Sequence, residues 1–264
     1  MEKCITDIRN FLHKNKLCNN GDKTELILIG TPFQLKKLRT SKISVDNVEI
    51  KATDHARNLG VFFDKHMSMY KQANKMCQNA YYNLRNISKL RKSLSKESIK
   101  TAVNALVTPH LDYGNGLLHG SSKQTINKLQ VAQNSAVRLI EGLKRHDKVS
   151  HHRKELHWLP IPARIQFKIM TTTWKAVNDQ APQYLKSLIQ LKPENDLNLR
   201  SNGKLLLQIP ASQYQNKFED RAFSFSSPTL WNSLPENVRK SRTLDNFKKR
   251  LKTYLFAKHY RNVN

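Results

Sequence analysis

The sequence predicts a mainly α chain with a small β portion at its N-terminus, an α+β arrangement. Three observations predict it. Across positions 66–264 apolar residues recur at steps of three and four, the period of a helix with one buried face. Short β-type runs bounded by turn residues are concentrated in the first 65 positions. Gly and Pro number only 8 and 9 in 264 residues, too few for a disordered or collagen-like chain. A lean packed core is therefore expected, with 38% hydrophobic residues.

The first elements follow from local pattern. Ile5, Ile8, Phe11 and Leu12 keep helical spacing, so residues 2–16 read as an amphipathic helix. Asn19-Asn20-Gly21-Asp22 is a turn cluster. Leu26 to Ile29 is a short continuous apolar run, read as a buried strand. Lys36, Lys37 and Arg39 fall in a polar connection. Ile43-Ser44-Val45 and Val48-Glu49-Ile50 alternate on either side of Asp46-Asn47, which predicts a hairpin with a two-residue turn. His55 to Phe63 is a further strand, and the β portion closes near residue 65.

Helices follow. Tyr70, Ala73, Cys77, Ala80, Leu84 and Ile87 form one apolar stripe, surrounded by Lys71, Lys75, Arg85 and Lys89. Ser95 caps a second helix carrying Ile99, Ala102, Val103 and Leu106, ended or kinked at Pro109. Ser121 with Gln124 fits a capping box before a third helix, with Ile126, Leu129, Ala132, Ala136 and Ile140 inward and Gly142 at its end. Residues 144–154 are a basic, His-rich connection. Pro162 stands in the first turn of a helix holding Ile165, Ile169, Thr172 and Ala176, and Pro182 restarts a shorter one. Residues 192–202 read as a loop, Leu205 to Pro210 as a lone strand, and Ser227-Pro228 as the start of a short helix. Thr243 caps the last helix, whose apolar face is Leu244, Phe247, Leu251 and Tyr254. Trp158, Trp174 and Trp231, each among leucines or alanines, are expected as core anchors.

Charge is the outlying property. Lys and Arg number 46 against 20 acids, for a formal net charge of +26. Such an excess repels itself in a compact state unless a polyanion is near. Nucleic acid is the usual partner and an anionic membrane face the rival; a merely basic soluble surface is the third reading. Cys4, Cys18 and Cys77 are odd in number and widely spaced, which fits neither a disulfide framework nor a zinc motif. No apolar run approaches the ~18 residues of a membrane span, and the N-terminus has no signal-peptide core. An intracellular chain, nuclear or cytoplasmic and not secreted, is expected.

Several residue groups bear on chemistry. Nucleotidyl transfer needs carboxylates that hold two Mg²⁺ ions close together, yet the aspartates are scattered and none adjoins another. Asp22, Asp46 and Asp64 lie near strand ends, where turns attract Asp for local hydrogen bonds. Between Lys71 and Lys100 stand Lys71, Lys75, Arg85, Lys89, Arg91, Lys92, Lys96 and Lys100 against Glu97 alone. This is either a phosphate-binding surface, with Arg91-Lys92 at the helix break as its natural contact, or a solvated helix face. Tyr81 and Tyr82 offer one ring for stacking and one for the core. His146, His151, His152 and His157 have no nearby cysteine and no familiar zinc spacing. Lys248, Lys249, Arg250, Lys252 and Lys258 are expected away from the apolar stripe of the last helix, to bind phosphate, to serve as a nuclear-import address or to be solvated.

Ordered motifs add a resemblance. Lys23-Thr24-Glu25-Leu26-Ile27-Leu28-Ile29-Gly30 follows the first helix, and Asn58-Leu59-Gly60-Val61-Phe62-Phe63-Asp64 comes some thirty residues later. Further on stand Arg145-His146, Leu156-His157-Trp158-Leu159-Pro160, Arg221-Ala222-Phe223-Ser224, Leu230-Trp231-Asn232-Ser233-Leu234-Pro235 and Phe247 to Leu255. In this order they resemble the end of the palm, the thumb and the C-terminal region of a non-LTR (LINE-type, jockey-like) retrotransposon reverse transcriptase.

That resemblance implies a partial palm over 1–65, a helical thumb over 66–143 and a mostly helical C-terminal region over 144–264. Lys23 would match the palm lysine that approaches the triphosphate, a vestigial catalytic residue here. Gly60 would lie in the primer grip, where backbone approaches a nucleic-acid strand. The family's paired metal-binding aspartates would lie upstream, so the chain is expected to be a C-terminal fragment. No metal or cofactor is assigned to it, although a full-length parent enzyme would need Mg²⁺. Its expected partners are RNA or an RNA–DNA or DNA duplex, and a missing N-terminal polymerase half; no membrane is expected. Sequence-tolerant binding is the retained function so implied, through Gly60, Lys71, Lys75, Arg85, Lys89, Arg91, Lys92, Lys248, Lys249, Arg250 and Lys252. The alternative is a non-enzymatic basic protein that meets an acidic partner or anionic surface.

Overall fold

The β-forming sequence of the first 65 residues resolves into two small sheets. The computed structural model describes residues 2–17, 23–38, 41–45, 48–193, 205–211 and 220–261. These fall into two units, Met1–Gln72 and Ala73–Asn264. Together they make a mainly helical molecule with small N-terminal sheets.

In the first unit, α1 (Glu2–Lys14) is followed by β1 (Leu26–Ile27), α2 (Pro32–Lys36), β2 (Lys42–Val45), β3 (Val48–Thr53), β4 (His55–Asn58) and β5 (Val61–Asp64). The expected hairpin of β2 and β3 is present, with Val45 opposite Val48. Asp46 and Asn47 themselves, and the Asn19 to Asp22 turn, lie outside the described residues. β1 runs parallel to β3, with Leu26 beside Ala52, and the sheet order is β1-β3-β2. The apolar run forms only two strand residues, fewer than its four apolar positions suggest.

Two local corrections arise here. The connection holding Lys36 and Lys37 contains a helix. Thr31 caps it by accepting from Gln34 N at 3.3 Å, Gln34 Oε1 accepts from Thr31 N at 2.9 Å, and Pro32 fills the first turn. The single strand expected over His55–Phe63 is a hairpin, β4 against β5, with Asn58 opposite Val61. Leu59 and Gly60 form its turn with φ of 46° and 83°. Positive φ at both central residues is the signature of the primed turns that match strand twist.

The second unit is helical. α3 (Tyr70–Lys89) starts in the first unit and runs through into the second. A 3-10 turn at Arg91–Ser93 leads to α4 (Lys96–Leu106) and α5 (Thr108–Asp112). After a second 3-10 turn, Asn115–Leu118, come α6 (Lys123–Glu141), α7 (Ser150–Glu155), α8 (Ile161–Val177) and α9 (Gln183–Lys186). α10 (Phe223–Asn232), α11 (Glu236–Arg239) and α12 (Leu244–Tyr260) complete it. Ser95 and Thr243 cap as their sequence contexts require. The α6 cap is Ser122, one residue beyond the expected Ser121, and it accepts from Thr125 N at 3.1 Å. α10 starts at Phe223, four residues before Ser227, so Pro228 lies inside the helix.

Phe247 centres the core of this unit. Its ring lies 5.9 Å from that of Trp174 and 5.8 Å from that of Trp231, joining α12 to α8 and α10. Both indoles are buried and both satisfy their N–H: Trp174 donates to Ser241 O at 3.2 Å, Trp231 to Leu205 O at 2.7 Å. The segment around Leu207, expected as a lone strand, makes a single bridge to Leu191. Asn232 supplies the rest. Its Oδ1 accepts from Leu207 N at 2.9 Å and its Nδ2 donates to Leu207 O at 2.8 Å. A side-chain amide thus takes the place of a neighbouring strand, and Leu207 is buried in the core.

Two polar clamps fix the rest. Gln133 Nε2 donates to Leu159 O at 2.9 Å and Ile161 N donates to Gln130 Oε1 at 2.9 Å, which ties the start of α8 to α6. Arg221 Nε donates to His119 O at 3.1 Å across Gly120, whose φ is 68°. A Cβ there would lie 2.3 Å from Arg221 Cγ.

Removing the Phe247 ring is expected to destabilise the second unit by about 3–5 kcal/mol. Urea unfolding of Phe247→Ala, followed by tryptophan fluorescence, measures this; a loss below about 1 kcal/mol would show that the two indoles pack without it.

Candidate nucleic-acid interface

α3 sorts its residues by face. Ala73, Met76, Ala80, Leu84 and Ile87 are buried. Half a turn away, Lys75, Gln78, Tyr82, Arg85 and Lys89 recur at steps of three and four, and all five are exposed. They line roughly 21 Å of helix. Tyr82 stands among the cations with 66% of its surface in solvent. An extended row of cations with a ring between them suits a phosphate backbone with an accessible base.

α3 and α6 lie side by side and run in the same direction. Lys128 Nζ donates to Asn74 Oδ1 at 2.8 Å, and Tyr81 OH meets Ser135 Oγ at 3.5 Å; both pairs are 54 residues apart, which fixes the alignment. Toward their C-terminal ends the two helices enclose a groove of about 550 Å³ lined by Tyr81, Arg85, Arg91 and Arg138. Arg138 was not singled out in the sequence. Only the pairing of α6 with α3 brings it beside the other two arginines.

Arg91 has a structural duty in this groove. Its Nε donates to Leu139 O at 3.0 Å, so it satisfies a carbonyl in the last turn of α6. Arg138 Nη2 donates to Asp147 O at 3.2 Å, while its buried Nε has no partner among the described residues. Two helix C-termini together bring about one negative elementary charge to this end. Arg85, Lys89, Arg91, Lys92 and Arg138 outweigh it, so the end stays cationic. Glu141 is neutralised by Lys96 at 2.6 Å.

Other predicted site residues are not members of the α3 row. Lys23 is an exposed residue just before β1. Gly60 occupies the β4–β5 turn, beside Leu59, which is 86% exposed. Lys71 belongs to the first unit, where its ammonium stands 5.1 Å from the Phe62 ring. The cations of α12 do not form one surface. Lys248 is half-buried, Lys249 and Lys252 are exposed, and Arg250 donates to Asn237 O at 2.6 Å. Tyr81 is 38% exposed, so neither tyrosine of the pair is a core residue. Within the His-rich stretch, His151 and His152 face Glu155 at 3.2 and 3.4 Å.

The described residues do not fit a two-metal centre. They contain no group of three or more His, Cys, Asp or Glu side chains placed to hold a metal ion. Asp64 is buried, and both its oxygens are engaged. Oδ1 accepts from Ser68 N at 2.9 Å and His66 N at 3.2 Å; Oδ2 accepts from Met69 N at 2.8 Å and Ser68 Oγ at 3.0 Å. This carboxylate organises the turn between β5 and α3. Asp54 pairs with Lys65 at 2.8 Å, and Glu25 accepts from Arg57 N at 3.0 Å. Asp22 and Asp46 lie outside the described residues.

No protein-family model, curated protein or solved structure matches the chain. Among the described residues, no helix is long and apolar enough to cross a membrane.

Two predictions follow from this geometry. Gly142 closes α6 with φ of 73°, and a Cβ there would lie 2.3 Å from Arg91 Nη2. Gly142→Ala should cost about 1 kcal/mol from backbone strain alone and move the guanidinium, which denaturation and the Arg91 Nε–H resonance would report. For Asp64, burial raises the pKa, but the Ser68, Met69 and His66 donors more than offset it, and the group titrates below its ordinary value. Its contribution is therefore complete above the unfolded pKa of about 3.9 and is lost as pH falls through the lower native one. Asp64→Asn should flatten the acid limb of first-unit stability; an unchanged limb would show that the donors do not hold the charge.

Proposed function

We propose that the chain is the C-terminal part of a non-LTR retrotransposon reverse transcriptase and that its retained capacity is sequence-tolerant binding of RNA or a primer–template duplex. In this reading residues 1–65 are the end of a palm and α3 to α6 form a thumb. The ordered motifs support the lineage. The exposed Lys75-Gln78-Tyr82-Arg85-Lys89 row, opposite the buried stripe, carries the binding claim. Arg85 joins it to the groove with Arg91 and Arg138.

Contacts of this kind neutralise phosphates and release counterions without reading base sequence. Nucleotidyl transfer by this chain alone is not part of the proposal, because Asp54 and Asp64, the described aspartates at the β-strand ends, are spent on an ion pair and a turn. In this reading Lys23 would face a nucleotide and Gly60 a primer strand. Their roles would need a partner that supplies the metal-binding carboxylates and Mg²⁺.

The test is a salt titration of binding to an RNA–DNA duplex. Four phosphate contacts predict a slope of log K against log salt of about −3 to −4. Arg85→Glu with Lys89→Glu should weaken binding at least about tenfold and flatten the slope by about 2, equally for unrelated sequences. A slope near zero, or an unchanged affinity in the double variant, contradicts the proposal.

One observation favours the alternative, a basic protein that meets an anionic surface. On α1, Ile8 and Phe11 are 54% and 65% exposed, with Lys3, Arg9 and Lys14 on the same helix. Retention on anionic vesicles that exceeds retention on RNA at equal ionic strength, and is lost in Phe11→Ser, would select it.

A further inference from the structure

The connection from α6 to α7 holds Lys144, Arg145, His146 and Lys148 within five residues, and all four are exposed. None of the four side chains has an ion pair or hydrogen bond among the described residues. Like charges this dense repel one another unless an anion lies near. The connection also begins at the arginine groove: Gly142 and Leu143 line it together with Arg85, Arg91 and Arg138.

An exposed, charged loop tip is ordinarily mobile, yet hydrogen bonds tie this one down along its length. Gly142, at φ 73°, lets Gly142 N and Leu143 N both donate to Arg138 O, at 2.8 and 3.1 Å. Lys144 N donates to Asp147 Oδ2 at 2.6 Å and Asp147 N to Lys144 O at 3.2 Å. This reciprocal pair closes a turn with Arg145 and His146 at its tip. Arg138 Nη2 donates to Asp147 O at 3.2 Å, and Val149 is buried just before α7. Asp147 is the only acid between Gly142 and Val149, so the turn stays net cationic while its one carboxylate organises the backbone.

We propose that the Lys144–Lys148 turn is a second phosphate-binding arm of the α3 surface, which carries the bound nucleic-acid backbone past the end of α3 and onto the connection between α6 and α7. The arm presupposes the nucleic-acid reading of that surface. Lys144, Arg145 and Lys148 are its phosphate contacts, and Asp147 is the residue that positions them. Because the turn is formed before binding, little ordering entropy is lost when phosphate arrives. A built arm and a mere excess of charge differ at Asp147. Coulomb attraction alone makes loss of this acid strengthen the binding of a polyanion, whereas loss of the turn that it closes weakens it.

Salt titration of the full chain with an RNA–DNA duplex tests this. The α3 and groove contacts alone give a slope of about −3 to −4, and three arm contacts steepen it by about 2 to 3. Lys144→Glu with Arg145→Glu and Lys148→Glu should remove that increment and weaken binding at least about tenfold. Lys249→Glu with Lys252→Glu and Lys258→Glu makes the same change of net charge at exposed α12 positions, and should weaken binding by less than about threefold. Asp147→Ala should weaken binding about threefold or more. Asp147→Asn keeps an acceptor for Lys144 N and should bind at least as tightly as the parent chain. Urea unfolding followed by tryptophan fluorescence shows whether each second unit is intact; if Asp147→Ala is not, the two charge-reversed triples decide. Equal weakening by those triples, an unchanged slope in the arm triple, or tighter binding by a folded Asp147→Ala overturns the proposal. If Arg85→Glu with Lys89→Glu weakens binding and the arm triple does not, the α3 reading stands and the arm falls. Absence of binding by the parent chain at low salt removes both.

Discussion

Burial of one narrow stripe on α3 sets the rotation of that helix, and the rotation decides where its charge goes. Ala73 and Ala80 are fully buried, so that line of the helix faces the core. Opposite positions are then held in water. With 46 basic residues to place and few acids to pair them, the sequence could have scattered its cations on every face. Along α3 it does not: the row from Lys75 to Lys89 is segregated from the core by the same periodicity that builds the core. The parallel partner α6 extends the charge sideways, because Arg138 ends beside Arg85 and Arg91. One arginine of the three is also a helix-end donor, so recognition and stability share Arg91.

The C-terminal half supplies a scaffold more than a charged surface. Phe247 between two indoles joins α8, α10 and α12, and the amide of Asn232 substitutes for a missing strand. These contacts account for several of the ordered motifs in terms of packing. Trp231-Asn232 binds the Leu207 segment, Arg221 clamps the Gly120 turn, and Tyr260 OH donates to Trp158 O at 2.6 Å while accepting from Arg153 Nε at 2.7 Å. Motifs that resemble a family signature thus have clear architectural duties here, and the α12 cations that accompany them diverge around the helix.

Most helices were legible because their apolar spacing is regular and their ends carry strong local signals, as at Ser95, Gly142 and Thr243. The failures have local causes too. A leucine at the first turn position, in place of the usual Asn or Asp, disguised the Leu59-Gly60 hairpin. Thr31-Pro32-Phe33-Gln34 is a capping box, but the helix it starts is one turn and a half long and carries no readable period. Ser227-Pro228 looked like a helix start because proline favours first turns, whereas the chain already turns helical at Phe223. For the candidate surfaces, the α3 row could be read directly from spacing. Arg138 could not, since its place depends on which helices pair.

Lysine reactivity in the presence and absence of an RNA–DNA duplex, read by mass spectrometry, tests the binding account most directly. It predicts that duplex protects Lys75, Lys89 and Lys92 from acetylation at low salt, that protection fades as salt rises, and that Lys249 on α12 stays as reactive as in the free protein. Unprotected α3 lysines in a chain that still binds duplex, with protection falling on α12 instead, would contradict it.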